Sequence, residues 1–334
     1  MHTLTFPILR VLADGAFHSG EALASHFKVS RATIWNAMQT LETLGVTIFS
    51  VRGRGYKLPQ PLALLNGDAI QNKLRELGNK TDFKLEVHDC LGSTNSYLMQ
   101  HASTTMHRTC VATNLQTQGR GRRGRTWQAS LGASLTFSLL WRFQCGASGL
   151  SGLSLAVGVA LIRGLIALGV QNAQLKWPND LLITHEKQAQ KLAGILIELQ
   201  GDMEGPSAAV IGIGLNLDLS AQMKAQIDQP TTDLKTALGD AFNPNLTNPN
   251  DLLAIILKHL AEVLSQFEQQ GFASLREEWL SHHAYHEKPV KLLHPDGRET
   301  HGVVRGIAED GVLLVETAQG VQRFMSGEIS LRAQ

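Results

Sequence analysis

The chain has 334 residues, of which 43% are hydrophobic and 18% are charged, and its formal net charge is +1. This length predicts two or three domains, and the composition is that of a soluble globular protein. The small net charge excludes an overall electrostatic attraction to nucleic acid or membrane, so binding of either requires a local patch of positive charge. Three cysteines without paired or metal-binding spacing, and a start unlike a signal sequence, predict a cytoplasmic location.

The first 63 residues are predicted to form a winged helix-turn-helix domain. Apolar residues recur at helical spacing in residues 4–12, and two short helices follow with Ser19 and Ser30 as their N-caps. Residues 46–58 then read as strand, turn and strand with arginines at the tip, which is typical of a wing. Residues 1–65 contain six basic and three acidic residues, an excess suited to phosphate contacts. Unless the module binds protein or packs on its neighbour, we expect DNA contacts from Ser30, Arg31, Thr33, Asn36, Arg52 and Arg54.

A glycine- and arginine-rich stretch, residues 116–127, is the densest motif of the chain. It contains Gly119, Arg120, Gly121, Arg122, Arg123, Gly124, Arg125 and a closing Trp127. Glycine lets a backbone close tightly on a ligand and arginine supplies cationic forks, so the loop is predicted to bind an anion. The stretch also matches G-x-G-x-x-G and is one substitution from a P-loop, but both motifs need a helix directly after the loop. Residues 135–141 read as a strand instead, which disfavours both nucleotide motifs.

Further candidate residues lie in turns and at strand entrances. The Ser-Thr-Asn cluster at 93–95 can cap a helix or hydrogen-bond a polar ring of a ligand. The turn at 176–180, Lys-Trp-Pro-Asn-Asp, could supply a phosphate contact, a stacking face and a metal ligand, although such a turn would suit any hairpin. Lys191 stands at the entrance of the next strand, and Gly212 and Gly214 in the strand after it allow close backbone approach.

The remaining pattern predicts helices at 64–77, 150–169, 251–270 and 274–283. The apolar stretch 150–170 is interrupted by Arg163, so it predicts a buried helix rather than a membrane span. Three histidines at 282, 283 and 286 lack metal-site spacing and are predicted to form a solvated helix end. Residues 289–332 read as short strands separated by Asp-Gly and Gln-Gly turns, which indicates a small β-barrel.

Five motifs together resemble the biotin–protein ligases. They are Gly-Ser-Thr-Asn (92–95), the glycine–arginine loop (119–127), Lys-Trp-Pro-Asn-Asp (176–180), Lys-Leu-Ala-Gly-Ile-Leu-Ile-Glu (191–198) and Gly-Ile-Gly-Leu-Asn (212–216). With the helix-turn-helix in front, the chain is similar along essentially its whole length to the bifunctional form, a biotin ligase and biotin operon repressor in one polypeptide. One departure is Gly92, where the family usually has an acid before Ser-Thr-Asn; Asp89 lies three residues earlier.

The resemblance implies an α+β fold of three domains. They are a winged helix-turn-helix (1–63), a central mixed β-sheet with helices of the class II synthetase-like biotin/lipoate ligase type (66–283), and an SH3-like small β-barrel (284–334). The implied reaction joins biotin and ATP to biotinyl-5′-adenylate with Mg²⁺, then acylates a lysine of the biotin carboxyl carrier protein of acetyl-CoA carboxylase. The adenylate-bound protein is expected to form a homodimer on operator DNA, with no membrane contact.

The resemblance also assigns roles to individual residues. Lys191 and Arg122 are the expected catalytic cations, and Asp180 is the expected contact to Mg²⁺. Biotin contacts are expected from Ser93, Thr94, Asn95, Gln116, Arg120, Gly121, Arg122 and Lys191. Contacts to ATP or the adenylate are expected from Arg122, Trp127, Lys176, Asn179, Asp180, Asn216 and Arg332. Two alternatives stay open at this point: a ligand-sensing repressor without ligase activity, and a lipoate-type ligase.

Overall fold

The computed structural model describes residues 3–185, 188–201, 205–242, 247–294, 296–325 and 330–333. Its N-terminal part has three helices, α1 (Thr5–Leu12), α2 (Gly20–Phe27) and α3 (Arg31–Thr43), followed by the hairpin β1 (Phe49–Val51) and β2 (Gly55–Lys57). Ser19 and Ser30 cap α2 and α3 as predicted, because each side chain accepts a hydrogen bond from a backbone N–H of the first turn. The predicted helix-turn-helix and hairpin are therefore present.

A seven-stranded mixed sheet forms the centre of the molecule, in the order β3-β4-β5-β9-β8-β7-β6. Strands β3 and β4 are parallel, and the remaining neighbours are antiparallel. The strands are β3 (Lys84–Leu91), β4 (Thr109–Gln116), β5 (Ser134–Phe143), β6 (Ala173–Lys176), β7 (Asp180–His185), β8 (Gln188–Gly201) and β9 (Ser207–Asn216). The strand predicted at 135–141 is β5, and the strands predicted at Lys191 and at Gly212 and Gly214 are β8 and β9, because each is an apolar run bounded by turn residues.

Helices cover both faces of this sheet. They are α4 (Gly67–Glu76), α5 (Thr94–His101), α6 (Leu153–Ala167), α7 (Ala221–Gln226), α8 (Leu234–Leu238), α9 (Pro249–Gln270) and α10 (Arg276–Ser281). The main core lies between the sheet and α4, α6 and α9, whereas α5 packs on the opposite face against Val111, Leu140 and Val210. The segment Ala147–Ala167 is apolar and long enough to cross a membrane, but 67% of it is buried inside the protein, which fits the predicted buried helix.

Two predictions about helices need correction. The helix expected at 64–77 begins only at Gly67, because Asn66 caps it and the backbone N–H of Leu65 is held by Asn114 Oδ1 at 2.8 Å. The short helices α7 and α8 were not predicted, since 5 or 6 residues are too few to show a clear apolar period.

The C-terminal part is a five-stranded antiparallel sheet in the order β13-β12-β11-β10-β14. Its strands are β10 (Pro289–Leu293), β11 (Glu299–Ile307), β12 (Leu313–Thr317), β13 (Gly320–Phe324) and β14 (Ser330–Ala333). Part of the last predicted strand, residues 326–329, lies outside the described residues.

The three parts pack directly on one another. Leu115, at the end of β4, is buried in the core of the helix-turn-helix module, and Arg10 of α1 forms an ion pair with Asp89 of β3. At the other end, Trp177 is 1% exposed and its indole N–H donates to Gly311 O at 3.1 Å. Trp177 therefore fixes the hairpin β6–β7 to the C-terminal sheet, and a stacking face offered by Trp177 to a ligand stays a prediction.

The histidines near the end of α10 also differ from the prediction. The side chain of His283 is buried, its ring centroid lies 4.5 Å from that of Trp279, and its ring nitrogens find no hydrogen-bond partner among the described residues. Burial, helped by the positive neighbours His286 and Lys288, lowers the pKa of His283 to about 3. His283 is thus a neutral core residue at the domain boundary rather than part of a solvated helix end.

Candidate functional site

A cleft on the α5 face of the central sheet brings most of the predicted site residues together. It encloses about 1060 Å³, including the part open to solvent. Its walls are the start of α5, the loop 116–127, the turn 176–180 and the middle of β8 and β9. The predicted residues that line it are Ser93, Thr94, Asn95, Gln116, Arg120, Gly121, Arg122, Trp127, Lys176, Asn179, Asp180, Lys191 and Arg332.

The Ser-Thr-Asn turn forms one end of the cleft. Ser93 caps α5, since its Oγ accepts from the backbone N–H of Ser96 at 3.3 Å. The backbone N–H of Thr94 donates to Gln116 Oε1 at 2.9 Å, which directs the other amide group of Gln116, its NH₂, toward the loop beside Gly119. The cluster therefore caps a helix and also lines the cleft, while its hydrogen bonding to a ligand stays a prediction.

The glycine–arginine loop is a narrow hairpin rather than a phosphate loop on a helix. Trp127 N–H donates to Gly119 O at 2.9 Å, and Gly121 N–H donates to Arg125 O at 2.7 Å. A Cβ at Gly119 would lie 2.3 Å from the carbonyl oxygen of Trp127, so only glycine allows this approach. At the tip, Arg123 adopts φ 56°, a left-handed conformation, and Arg122, Arg123 and Arg125 all line the cleft.

Glycines of β8 and β9 form the floor of the cleft. A Cβ at Gly212 would lie 2.2 Å from Asn95 Oδ1, and one at Gly214 would lie 2.3 Å from the Trp127 ring. Gly194 pairs with Gly214 across the strands and also faces Trp127. A Cβ at Gly194 would lie 3.4 Å from the Trp127 ring. The prediction of close approach at Gly212 and Gly214 is thus confirmed, with protein side chains as the approaching groups.

A cluster of charges forms the other end of the cleft. Lys191 Nζ lies 2.6 Å from Asp180 Oδ1, and Lys176 Nζ lies 4.0 Å from Asp180 Oδ2. Burial, together with the cations around it, lowers the pKa of Lys176 to about 8, against the opposing pull of Asp180. An anion placed among these cations would raise the pKa of Lys176 again, because it favours the protonated amine. The cluster is therefore suited to bind phosphate or carboxylate.

Arg122 connects the loop with the turn 176–180. Its Nη1 donates to Asn179 Oδ1 at 3.2 Å, while Asn179 Nδ2 donates to Ile195 O at 2.9 Å. Burial lowers the pKa of Arg122 from its ordinary value, with a further contribution from Arg123, but an arginine remains charged at neutral pH. A desolvated guanidinium is a strong partner for an anion that enters the cleft.

Asn216 and Arg332 lie on a recess that opens from the charged end of the cleft. The Asn216 side chain is 2% exposed, and its Nδ2 donates to Thr232 O at 3.0 Å and to Lys191 O at 3.4 Å. Asn216 thus supports the backbone of Lys191 in this structure. Arg332, on β14, is the cation that the C-terminal sheet brings to the same recess.

The predicted metal contact is already engaged by protein. Asp180 is paired with Lys191, and within the described parts of the chain no group of three histidine, cysteine or acidic residues could hold a metal ion. Mg²⁺ in nucleotide sites is usually held by one or two carboxylates and by the phosphates themselves. The residues present therefore do not form a metal site of their own.

Two polar residues of the site were missed in the sequence. Ser138 of β5 lies 2.7 Å from Thr94 Oγ1 and 2.6 Å from Asn95 Oδ1, and Glu198 of β8 accepts from Arg120 and from Asn95. Glu198 ends the motif Lys-Leu-Ala-Gly-Ile-Leu-Ile-Glu (191–198), which was the available signal. Ser138 gave none, because its role depends on which strands become neighbours.

The DNA-contact candidates lie on the helix-turn-helix module, far along the chain from the cleft. Ser30, Arg31, Asn36, Arg52 and Arg54 are exposed to solvent, and Thr33 is half-buried. Ser30 Oγ accepts from Thr33 N–H at 3.1 Å, so both residues stabilise the start of α3. The guanidinium of Arg54 lies 4.1 Å from the centroid of the Phe17 ring and is held against the module by this contact.

These features define a class of protein: an enzyme that joins an acid to a nucleotide, fused to a DNA-binding module. Residues 87–216 match the biotin/lipoate A/B protein ligase family, residues 5–57 an HTH domain, and residues 285–332 the biotin protein ligase C-terminal domain. The chain is 36% identical over 332 residues to the bifunctional ligase/repressor BirA of Escherichia coli K12, covering 99% of this chain and 98% of the relative.

Two further relatives agree. A biotin–[acetyl-CoA-carboxylase] ligase of Paracoccus denitrificans is 30% identical over 239 residues, covering 71% of this chain and 96% of the relative. A solved structure of the Aquifex aeolicus biotin protein ligase in complex with biotin and ATP has a TM-score of 0.61 and 28% identity, covering 75% of this chain and 99% of that one. The chain belongs to the biotin–protein ligase family, in its bifunctional ligase/repressor form.

Proposed function

We propose that this protein converts biotin and ATP to biotinyl-5′-adenylate and pyrophosphate, then transfers biotin to one lysine of a biotin carboxyl carrier protein. One observation carries the proposal. An uncharged hydrogen-bonding turn and a cluster of lysines and arginines meet in a single cleft. The first end suits a ureido ring, and the second suits a carboxylate beside phosphates.

The first step is mainly electrostatic. The carboxylate of biotin is already ionised at neutral pH, so its attack on the α-phosphorus requires no general base. The new bond joins a carboxylate oxygen to phosphorus, and pyrophosphate leaves with the electron pair of the broken bond. Two anions must be held together for this, and Lys191, Arg122 and Lys176 surround the place where they would meet. Mg²⁺ is proposed to enter on the triphosphate, where it neutralises phosphate charge.

The second step transfers the acyl group. The neutral amine of the carrier lysine attacks the acyl carbon, AMP leaves, and the amine releases a proton as the amide forms. Between the two steps the mixed anhydride must be kept from water. The hairpin 119–127, with Trp127 lying on the glycine floor, is placed to cover it.

The three parts of the chain are assigned separate tasks. Residues 1–63 are proposed to bind operator DNA, residues 66–283 to carry a class II synthetase-like catalytic domain, and residues 284–334 to form an SH3-like domain that brings Arg332 to ATP. Repression is proposed to require a homodimer that forms on adenylate binding, with the loop tip at Arg123 near the dimer surface. The proposed location is the cytoplasm, where biotin, ATP and DNA are all available, without membrane contact.

The direct test measures pyrophosphate release and DNA binding in parallel. Release from ATP should depend on biotin, and lipoate should not replace it. Biotin with Mg-ATP should also tighten binding to an operator selected from random duplexes with the full-length protein. Pyrophosphate release without DNA binding would support the ligase function and contradict the repressor function. Biotin-dependent DNA binding without release would favour the sensing repressor, and release with lipoate would favour a lipoate-type ligase.

A further inference from the structure

Glu198 occupies an unusual position at the rim of the cleft. It lies on β8, and its Oε2 accepts hydrogen bonds from two residues that belong to different walls. Arg120 of the loop donates through Nη2 at 2.6 Å, and Asn95 of the turn at the start of α5 donates through Nδ2 at 2.8 Å. One carboxylate oxygen therefore joins the loop to the turn across β8. Hydrogen bonds to an ionised acceptor are the stronger kind.

The amide of Asn95 is largely committed to the protein. Its Nδ2 carries two hydrogens, and these are directed at Glu198 Oε2 and at Leu196 O, the latter at 3.2 Å. Its Oδ1 lies 2.6 Å from the Ser138 hydroxyl, which completes the orientation of the group. Asn95 is 4% exposed. These contacts fit an organising role for Asn95 better than direct contact with a ligand.

The same chain of hydrogen bonds continues to the other side of the turn. Ser138 has a single hydrogen, and Asn95 Oδ1 can only accept, so Ser138 donates to Asn95. The Thr94 hydroxyl, 2.7 Å away, then provides the hydrogen for the remaining contact with Ser138 Oγ. Glu198 thereby sets the orientation of Asn95, and Asn95 sets that of the two hydroxyls beside it.

On the loop side, the contact lies at the base of the hairpin. Arg120 is bridged to Thr126 across the hairpin, and the backbone bond from Trp127 to Gly119 lies next to this bridge. The loop tip, 122–125, extends beyond this point. Holding Arg120 therefore fixes the direction of the whole hairpin over the floor of the cleft.

We propose that Glu198 is a positioning residue for biotin activation, because its Oε2 links Arg120 of the loop to Asn95 of the ligand-binding turn. This role rests on the proposed ligase function and concerns the same cleft. Glu198 does not touch the reacting atoms. It keeps the loop base and the hydrogen-bonding turn in fixed relation, so that biotin meets both in one geometry and the adenylate stays covered.

Glu198→Gln tests this role with little change in shape. The amide can still place its oxygen where Oε2 lies, but it has no negative charge, so the hydrogen bonds from Arg120 and Asn95 both lose their charge assistance and become weaker. We expect about 10-fold weaker biotin binding, as loss of a charge-assisted hydrogen bond gives, and faster release of adenylate. Amide hydrogen exchange in 119–127 should rise. The melting temperature should change little, which separates positioning from a general structural role.

A matched control and a second variant make the outcome decisive. Glu86 is as exposed as Glu198, with 25% of each side chain accessible, and is paired with a lysine outside the cleft, so Glu86→Gln should behave like the unaltered protein. Arg120→Gln breaks the same link from the more exposed partner, at 45% exposure, and should give the same rise in exchange. The effects of Glu198→Gln and Arg120→Gln should not add.

Two results would overturn the proposal: Glu198→Gln matching Glu86→Gln in biotin affinity and loop exchange, or additive effects of the two link variants. If Glu198→Gln does not fold, the test rests on Arg120→Gln alone. Unchanged amide hydrogen exchange of residues 119–127 in that variant would then refute the link. A different failure would concern the ligase function itself. In that case the unaltered protein would neither bind biotin nor release pyrophosphate with it, whichever variant is compared.

Discussion

Lys191 Nζ and Asp180 Oδ1 are 2.6 Å apart at the charged end of the cleft. The register of β7 and β8 brings them together: Asp180 starts β7 and Lys191 lies beside an irregularity in β8, opposite Leu182. The charge of the lysine is thus balanced by a carboxylate. An entering carboxylate–phosphate pair would compete with Asp180 for this cation. The strongest interaction of Lys191 with substrate is then the one made when both anions are present.

Replacing Lys191 tests this directly. Lys191→Ala should abolish detectable biotin-dependent pyrophosphate release, because a cation at the site of two meeting anions is lost. Lys235→Ala is the control, since Lys235 forms a comparable 2.7 Å ion pair with Asp218 outside the cleft. Pyrophosphate release can be followed with a coupled assay at saturating ATP and biotin. Near-normal release by Lys191→Ala would remove Lys191 from the mechanism.

Lys176 should make the use of ATP dependent on pH. Its pKa is lowered to about 8, mainly by burial, so the amine loses its proton as pH rises through that value. The neutral amine no longer attracts phosphate, and kcat/KM for ATP, which reports on the free enzyme, should fall above about pH 8. Lys176→Met fills a similar volume without charge. Its kcat/KM should be low throughout and should lack this decline, and persistence of the decline would assign it to another group.

Gly214 should tolerate no side chain. In Gly214→Ala the added Cβ would meet the Trp127 ring, which lies 2.3 Å from its position, so the ring or the strand must move. We expect a loss of about 1–3 kcal/mol in the free energy of unfolding, as overpacking generally gives, and weaker adenylate binding. Gly67→Ala is the control, because the nearest atom to its Cβ is 3.9 Å away. Denaturant titration followed by tryptophan fluorescence measures the stability of both variants. Equal stabilities would show that Trp127 does not rest on Gly214.

How far the sequence predicted this site depends on what kind of contact is involved. Local patterns gave the caps at Ser19 and Ser30, the strands, and the motifs that line the cleft. Those features depend on neighbours in sequence. Ser138 was missed because it faces Thr94 and Asn95 only after β5 has packed beside β9 and α5. No period or motif marks such a residue.

The error at the domain boundary has a similar cause. His283 is polar enough to be read as a surface group, yet it is buried, like Trp177, where β6 and α10 meet the C-terminal sheet. The backbone N–H of Leu175 donates to His282 O at 2.7 Å, which holds this segment against β6 and buries His283, whereas His286 is exposed. Packing between domains overrides the local pattern here, and a single sequence contains no direct record of it.

Arg122 should retain the adenylate. It joins the loop to Asn179 by a 3.2 Å hydrogen bond, so Arg122→Gly removes both a positive charge and the hydrogen bond between the loop and the turn 176–180. The activated biotin should then escape faster and label lysines of bystander proteins. Mass spectrometry of a mixture of carrier and an unrelated lysine-rich protein measures this. Labelling confined to the carrier would contradict a retaining role for Arg122.

Arg31 should contribute to operator binding through phosphate. It is exposed at the start of α3, where a cation can reach the DNA backbone. Arg31→Ala should weaken binding to all sequences alike and reduce the dependence of binding on salt by about one ion per bound protomer. Fluorescence anisotropy over a range of salt concentrations, with biotin and Mg-ATP present, measures the slope. A change in sequence preference with an unaltered slope would instead indicate base contact.

The central claim is that the cleft activates biotin and delivers it to a carrier. The most direct measurement is the intact mass of a biotin carboxyl carrier domain after incubation with this protein, biotin and Mg-ATP. We expect the mass increase of one biotin amide, located on a single lysine and absent without ATP. An unchanged carrier mass, with protein that still binds biotin, would contradict it.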